Sequence, residues 1–214
     1  WPLSRFKNYL AEQVVKQGIT IKLNTRATRE LLEGEYDAVI AALGAVPKLP
    51  DIEGNNLPNV WTPHAVYGNE DKLGEHVVVV GGASTGAETA IHLAVKGHHV
   101  TVLTRQPMLA HDAQVVHYSD TMESYWRRLE NFLVITRAAT AKVTEHSVCY
   151  VDSEGMEHEL AADSVVLCGG VTPLTEAALE LSTAAPEFYM IGDCERPADV
   201  HHCMKTAYAA ASNI

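Results

Sequence analysis

Basic residues are scarce in this sequence: 16 Lys and Arg stand against 27 Asp and Glu, a formal net charge of −11. That sign argues against nucleic acid or an anionic membrane as a partner. No apolar run approaches the roughly 18 residues that a membrane span requires, and no signal peptide is expected. The four cysteines, Cys149, Cys168, Cys194 and Cys203, form no CxxC pair. A zinc ribbon and a thioredoxin-type redox motif are thereby excluded. Cys149 and Cys168 fall in apolar, strand-like runs and read as small buried hydrophobes. No repeat and no low-complexity tract is found. A reduced, cytoplasmic protein is the expectation. The sequence opens on Trp1 and stops inside a helical pattern, so a piece of a longer protein is expected.

The apolar fraction is 47% over 214 residues, enough for a core. Ser4 is expected to cap a helix running to Gln17, with Phe6, Leu10 and Val14 on one face and Gly18 after its end. Residues 19–23 alternate as a strand. Residues 36–42 form a continuously apolar strand of the kind found inside parallel sheets. Pro47, Pro50, Gly54 and Pro58 punctuate a long connection. Four valines, 77–80, precede a helix over 85–96, and 99–104 reads as the next strand. A helix is expected over 118–130, with Met122, Tyr125, Trp126 and Leu129 on one face. Strands follow at 133–135, 138–143, 147–151, 157–160, 164–168 and 188–191, then a helix from Asp199. Strands and helices in alternation predict an α/β fold with parallel sheets.

The central motif is Val80-Gly81-Gly82-Ala83-Ser84-Thr85-Gly86-Ala87-Glu88. It fits G-x-[G/A]-x-x-G, directly after a strand and at the opening of a helix, which is the context of a dinucleotide-binding βαβ unit. Gly81 permits the tight turn, and Gly86 lets the helix approach the sheet. Position 83 must be small so that a pyrophosphate can reach the positive end of the helix. Alanine there adds one methyl, and a doubly wound fold with an empty turn is the alternative. At the end of the next strand stand Thr104 and Arg105, where an NAD site would carry a carboxylate. Arg105 can pair with a 2′-phosphate, which favours NADPH over NADH. A solvated loop arginine is the plainer reading.

Asp199, His202 and Cys203 share a helix face at metal-like spacing, but no metal is assigned. His98 and His99 point to opposite faces of a strand, and His111 and His117 lack a clear partner.

The flanks carry a resemblance. Ala42-Leu43-Gly44-Ala45-Val46-Pro47 looks like the ATG-x-x-P segment of two-dinucleotide-domain flavoproteins. Gly169-Gly170-Val171-Thr172-Pro173 resembles the segment that closes their nicotinamide domain, and Gly192-Asp193 resembles their late GD motif. Nearly the whole chain is similar to the C-terminal part of the 2,4-dienoyl-CoA reductase and enoate reductase family of NADH:flavin oxidoreductases, relatives of trimethylamine dehydrogenase. Leu43 and Ala83 depart from the pattern.

The resemblance implies a Rossmann-like NAD(P)-binding domain, residues 73–173, inserted into a partial FAD-binding domain of residues 1–72 and 174–214. It implies that Ala42, Leu43, Gly44, Gly192 and Asp193 face FAD, and that Gly81, Gly82, Ala83, Ser84, Thr85, Gly86, Glu88, Thr104, Arg105, Gly169 and Gly170 face NADPH or NADH. Family members also carry an N-terminal barrel with FMN and an iron–sulfur cluster. That barrel and the missing flavin-domain segment are the implied partners. Hydride would pass from NAD(P)H to a flavin, for reduction of an activated alkene such as an enoate or enoyl-CoA. No acid–base catalytic residue is named, and the isolated chain is expected to be inactive and prone to self-association. A structural adenine-nucleotide module without hydride transfer is the alternative.

Overall fold

The computed structural model describes residues 2–113 and 122–214. The strands, in chain order, are β1 (Ala38–Ala41), β2 (Ala45–Pro47), β3 (Val60–Trp61), β4 (His76–Val80), β5 (His99–Leu103), β6 (Phe132–Ile135), β7 (Ala139–Val143), β8 (Ser147–Val151), β9 (Glu157–Ala161), β10 (Ser164–Leu167), β11 (Val171–Pro173) and β12 (Glu187–Met190). Five of them make an all-parallel sheet in the order β3-β10-β4-β5-β6.

The four valines 77–80 explain the layering. Successive side chains on a strand point to opposite faces. Val77 and Val79 join Ala87, Ala90 and Leu93 of the Ser84–Val95 helix in one core cluster. Val78 and Val80 pack instead with Val143 and Val148 of the antiparallel sheet β7-β8-β9. Both faces of β4 are therefore covered, as a continuously apolar strand requires. The helix meets the sheet through alanines, which keeps its axis close to the strands.

β1 and β12 pair in parallel as a separate two-stranded sheet. Small clusters around Val39 and Ala41 pack under it. β2 and β11 pair antiparallel and form a ribbon between this sheet and the five-stranded one.

Three expectations need correction. Residues 19–23 form no strand: Ile19, Ile21 and Leu23 are 57%, 54% and 78% exposed. Their alternation is strand-like, but among the described residues no edge pairs with them, and a strand without a neighbour leaves its backbone groups unpaired. The first helix is Pro2–Lys16, so Ser4 lies within it rather than capping it, in keeping with proline's tolerance at a first turn. The helix expected over 118–130 lies partly outside the described residues, and its described helical part, 122–126, gives way to turns. Met122, Trp126 and Leu129 pack on the core, whereas Tyr125 is 52% exposed. At the C-terminal end, Asp199 caps the Val200–Ala211 helix by accepting from the His202 amide at 2.8 Å.

Candidate functional site

The sheet changes direction of growth between β4 and β10. From β4 the chain proceeds outward on one side to β5 and β6, and it returns on the other side to β10. The crevice beyond the carboxyl ends of strands at such a point is where open α/β sheets take ligands. Gly81 lies beyond the end of β4, and Cys168 and Gly169 lie beyond the end of β10. They line a cavity of about 320 Å³ together with Val80, Arg105 and Thr140.

The turn has no spare volume. Gly81 adopts φ +108°, and a Cβ on it would sit 2.5 Å from the Cys168 carbonyl. A Cβ on Gly82 would meet Thr104 Cβ at 2.8 Å, and one on Gly86 would run into the Gly81 carbonyl. The helix is thus drawn onto the strand end by the absence of side chains. Ala83, at φ −70° and ψ 175°, stands at the N-cap in ordinary extended backbone, so its methyl costs no strain. It offers no capping oxygen, and the first amides of a helix have no partner within the helix.

Each expected residue can be placed. Ser84 opens the helix, and Thr85 and Glu88 are exposed on it. Thr104 is 3% exposed, packs under Gly82, and accepts from the Gln106 amide at 3.2 Å. Arg105 is exposed, and among the described residues it forms no ion pair. Gly169 lies tightly against Lys48 and Pro50, and the Gly170 carbonyl accepts from the Lys48 amide at 2.9 Å. A second group collects beyond the paired ends of β1 and β12. Ala42, Leu43 and Gly44 follow β1, and Gly192 and Asp193 follow β12, joined through Ile191 N–H to the Ala41 carbonyl at 3.0 Å. The Asp193 carboxylate accepts from the Ala198 amide at 3.2 Å and from the Cys203 thiol at 3.7 Å. The two groups stand at opposite ends of the three-residue β2–β11 ribbon, about 10 Å apart at the usual rise of a strand.

Two features were not read from the sequence. Asp51 enters the cavity wall from the long connection. Asp112, distant in sequence from the turn, accepts from both the amide and the hydroxyl of Ser84, at 2.8 and 2.9 Å. No local pattern announces either, because both arrive through tertiary contacts.

Burial pushes the Cys168 thiol up to about 12, so it is protonated and unreactive at neutral pH. Desolvation, and then the Asp193 carboxylate, raise that of Cys203. All four cysteines are free thiols, and among the described residues no cluster of three or more His, Cys, Asp or Glu is arranged for a metal ion. Nor is any described helix long and apolar enough to cross a membrane.

A second cavity, about 380 Å³, lies at the opposite, amino end of the sheet. It is larger, but its polar walls are occupied by one another. His76 stacks on His99 at 5.5 Å, and the Asn131 side chain donates to the Ala94 and His98 carbonyls at 2.8 and 2.7 Å. The crevice at the carboxyl ends is the better candidate, since it combines glycine-lined backbone with a cation, Arg105, that has no ionic partner among the described residues.

Comparison with known proteins follows the same line. The family model described as pyridine nucleotide-disulphide oxidoreductase matches residues 4–211. Bilirubin reductase of Mediterraneibacter gnavus is 30% identical over 212 residues, 98% of this chain and 33% of that protein. Cinnamate reductase of Clostridium sporogenes is 28% identical over 92% of this chain and 30% of its own length. A 2-naphthoyl-CoA reductase, solved with 2-naphthoyl-CoA, superposes with a TM-score of 0.89 at 28% identity, over 96% of this chain and 31% of that one. The chain spans about a third of the length of these relatives.

Proposed function

The chain belongs to the pyridine nucleotide-disulphide oxidoreductase family, and from that premise we propose that residues 81–86 seat the pyrophosphate of NAD(P)H for delivery of hydride to a flavin. The carrying observation is the turn itself. Its glycines leave no room for a side chain, and it opens a helix at the switch point of a parallel sheet. When bound, the nicotinamide cofactor supplies the hydride, and the protein supplies orientation and shelter from water.

The first amides of the Ser84–Val95 helix point toward the turn and suit a phosphate. Arg105, exposed and without an ionic partner among the described residues, takes a 2′-phosphate and tilts the site to NADPH. Ile52, Val80 and Leu103 supply apolar wall that excludes water. In this reading residues 73–173 are the nicotinamide domain. Residues 1–72 and 174–214 belong to a flavin domain whose Ala42, Leu43, Gly44, Gly192 and Asp193 face FAD. The β2–β11 ribbon sets the spacing between the two sites.

The finer placement is with the 2,4-dienoyl-CoA reductase and enoate reductase group, in a longer cytoplasmic protein whose N-terminal barrel carries FMN and an iron–sulfur cluster. Its substrate is an activated alkene. The similarity to reductases of bilirubin, cinnamate and 2-naphthoyl-CoA supports this.

Calorimetric titration of the chain with NADPH, NADH and ADP tests the reading. Tighter binding of NADPH, reduced about tenfold or more in Arg105→Ala while NADH is unchanged, is the expected result. Equal binding of all three ligands would reduce the site to an adenine-nucleotide holder, and no binding of any would refute it.

A further inference from the structure

We infer that Asp112 is a further determinant of what the crevice binds and how tightly, because its carboxylate holds the same Ser84 donors that a cofactor phosphate needs. The inference rests on the cofactor reading above. Ser84 N–H donates to Asp112 Oδ1 at 2.8 Å and Ser84 Oγ–H donates to the same oxygen at 2.9 Å. Ala83 supplies no cap of its own, so the positive end of the helix receives its anion from a segment 28 residues further along the chain.

The segment is anchored separately from its tip. Leu109 and Ala110 are 7% and 1% exposed. Ala110, in left-handed backbone at φ +53°, donates its amide to the Gly82 carbonyl at 2.7 Å, and Leu109 lies beside Gly82. Asp112 itself is exposed. It can therefore swing into water without dismantling the contacts at Leu109 and Ala110.

One N–H donor serves one strong acceptor, and two anions in one place repel. A pyrophosphate reaches Ser84 by displacing the carboxylate. The cost of that displacement falls on every ligand that presents a phosphate there and on none that lacks one. Asp112 thus sets a threshold: ligands whose phosphates are held at further points, as Arg105 would hold a 2′-phosphate, overcome it more readily than those that depend on the turn alone.

The test titrates the 214-residue chain with NADPH, ADP and adenosine, comparing wild type with Asp112→Asn and Asp112→Ala. Asp112→Asn keeps the size and an acceptor oxygen but removes the charge. Circular dichroism and the thermal midpoint establish that each variant is folded, and Asp112→Asn decides the matter should the alanine variant unfold. The expected result is binding of NADPH and ADP about tenfold tighter in the variants, with adenosine unchanged. Binding that appears only in the variants supports the inference equally. Wild-type binding that is unchanged or weakened in Asp112→Asn would overturn it alone and make Asp112 a brace of the turn. Failure of wild type and variants alike to take any nucleotide would overturn the cofactor reading and this inference with it.

Discussion

Gly86 marks the close approach of the Ser84–Val95 helix to its strand, and one added methyl there has nowhere to go but the Gly81 carbonyl. Because the obstacle is backbone, relief requires the helix to move. Gly86→Ala should lower stability by roughly 1–3 kcal/mol, as overpacking does, read as a fall in the urea midpoint, and it should abolish nucleotide binding. Cys168 gives a second prediction at this scale. With its thiol held up to about 12 by burial, only about one molecule in ten thousand is thiolate at pH 8. Cys168 lines the crevice and is only partly buried, so the raised thiol rather than steric shelter should slow its alkylation. Iodoacetamide should label it more slowly in the native chain than in urea, and equal rates, mapped by mass spectrometry, would contradict the shift. At residue level the sequence made the glycines and Arg105 legible, because their spacing after a strand is itself the signal. Asp51 and Asp112 were not legible, since nothing in their neighbours records the long-range contact that brings them to the crevice.

Among the elements, the Ser84–Val95 helix is held from behind as well as at its tip. His92 in its last turn meets Glu70 of the short turn Glu70–Lys72 at 2.6 Å, and the Tyr67 ring stands 4.9 Å from that of His92. The hydrogen bond from His92, with further backbone donors, lowers the Glu70 carboxyl from 4.5 to about 2. A depressed carboxyl contributes stability that is present above its unfolded value and is lost as the pH falls toward its folded one. Between pH 4.5 and pH 2, Glu70→Gln should therefore show a shallower loss of stability than wild type in urea titrations. Parallel curves would mean that the contact does not link the helix to that turn. Long, locally patterned elements were readable in sequence: the valines of β4, the β5 run and the Ser84–Val95 helix. The two-residue β3 and the ribbon of β2 with β11 were not, because they are too short for a period and gain their partners from far along the chain. The run at 19–23 failed for the converse reason, a good local pattern that has no neighbouring strand among the described residues.

As a whole the molecule has a well-covered sheet and a poorly covered remainder. The first core clusters enclose β4, β5 and β10 on both faces, whereas the clusters beneath β1 and β12 are small. Ile19, Ile21, Leu23, Leu43, Val46 and Leu49 are all more than 40% exposed. Apolar surface of this kind drives association. Sedimentation velocity should show self-association that rises with concentration and weakens when Ile19, Ile21 and Leu23 are all replaced by Ser. A strictly monomeric chain at high concentration would count against that expectation. The division of the molecule also explains what the sequence could convey. The unit built on β4, β5, β6 and β10 contains its own strands, helix and crevice, so its pattern is complete. The remainder, around β1 and β12, is read through the resemblance of two short segments.

The central claim is that the glycine turn, and not the larger cavity at the other end of the sheet, receives the dinucleotide. Amide chemical-shift mapping of the isotope-labelled 23.3 kDa chain during titration with NADPH tests it most directly. The account predicts shifts concentrated at Gly81, Gly82, Ser84, Gly86, Arg105, Thr140 and Gly169. Shifts gathered instead around His76, His99 and Asn131, or no shifts at saturating NADPH, would contradict it.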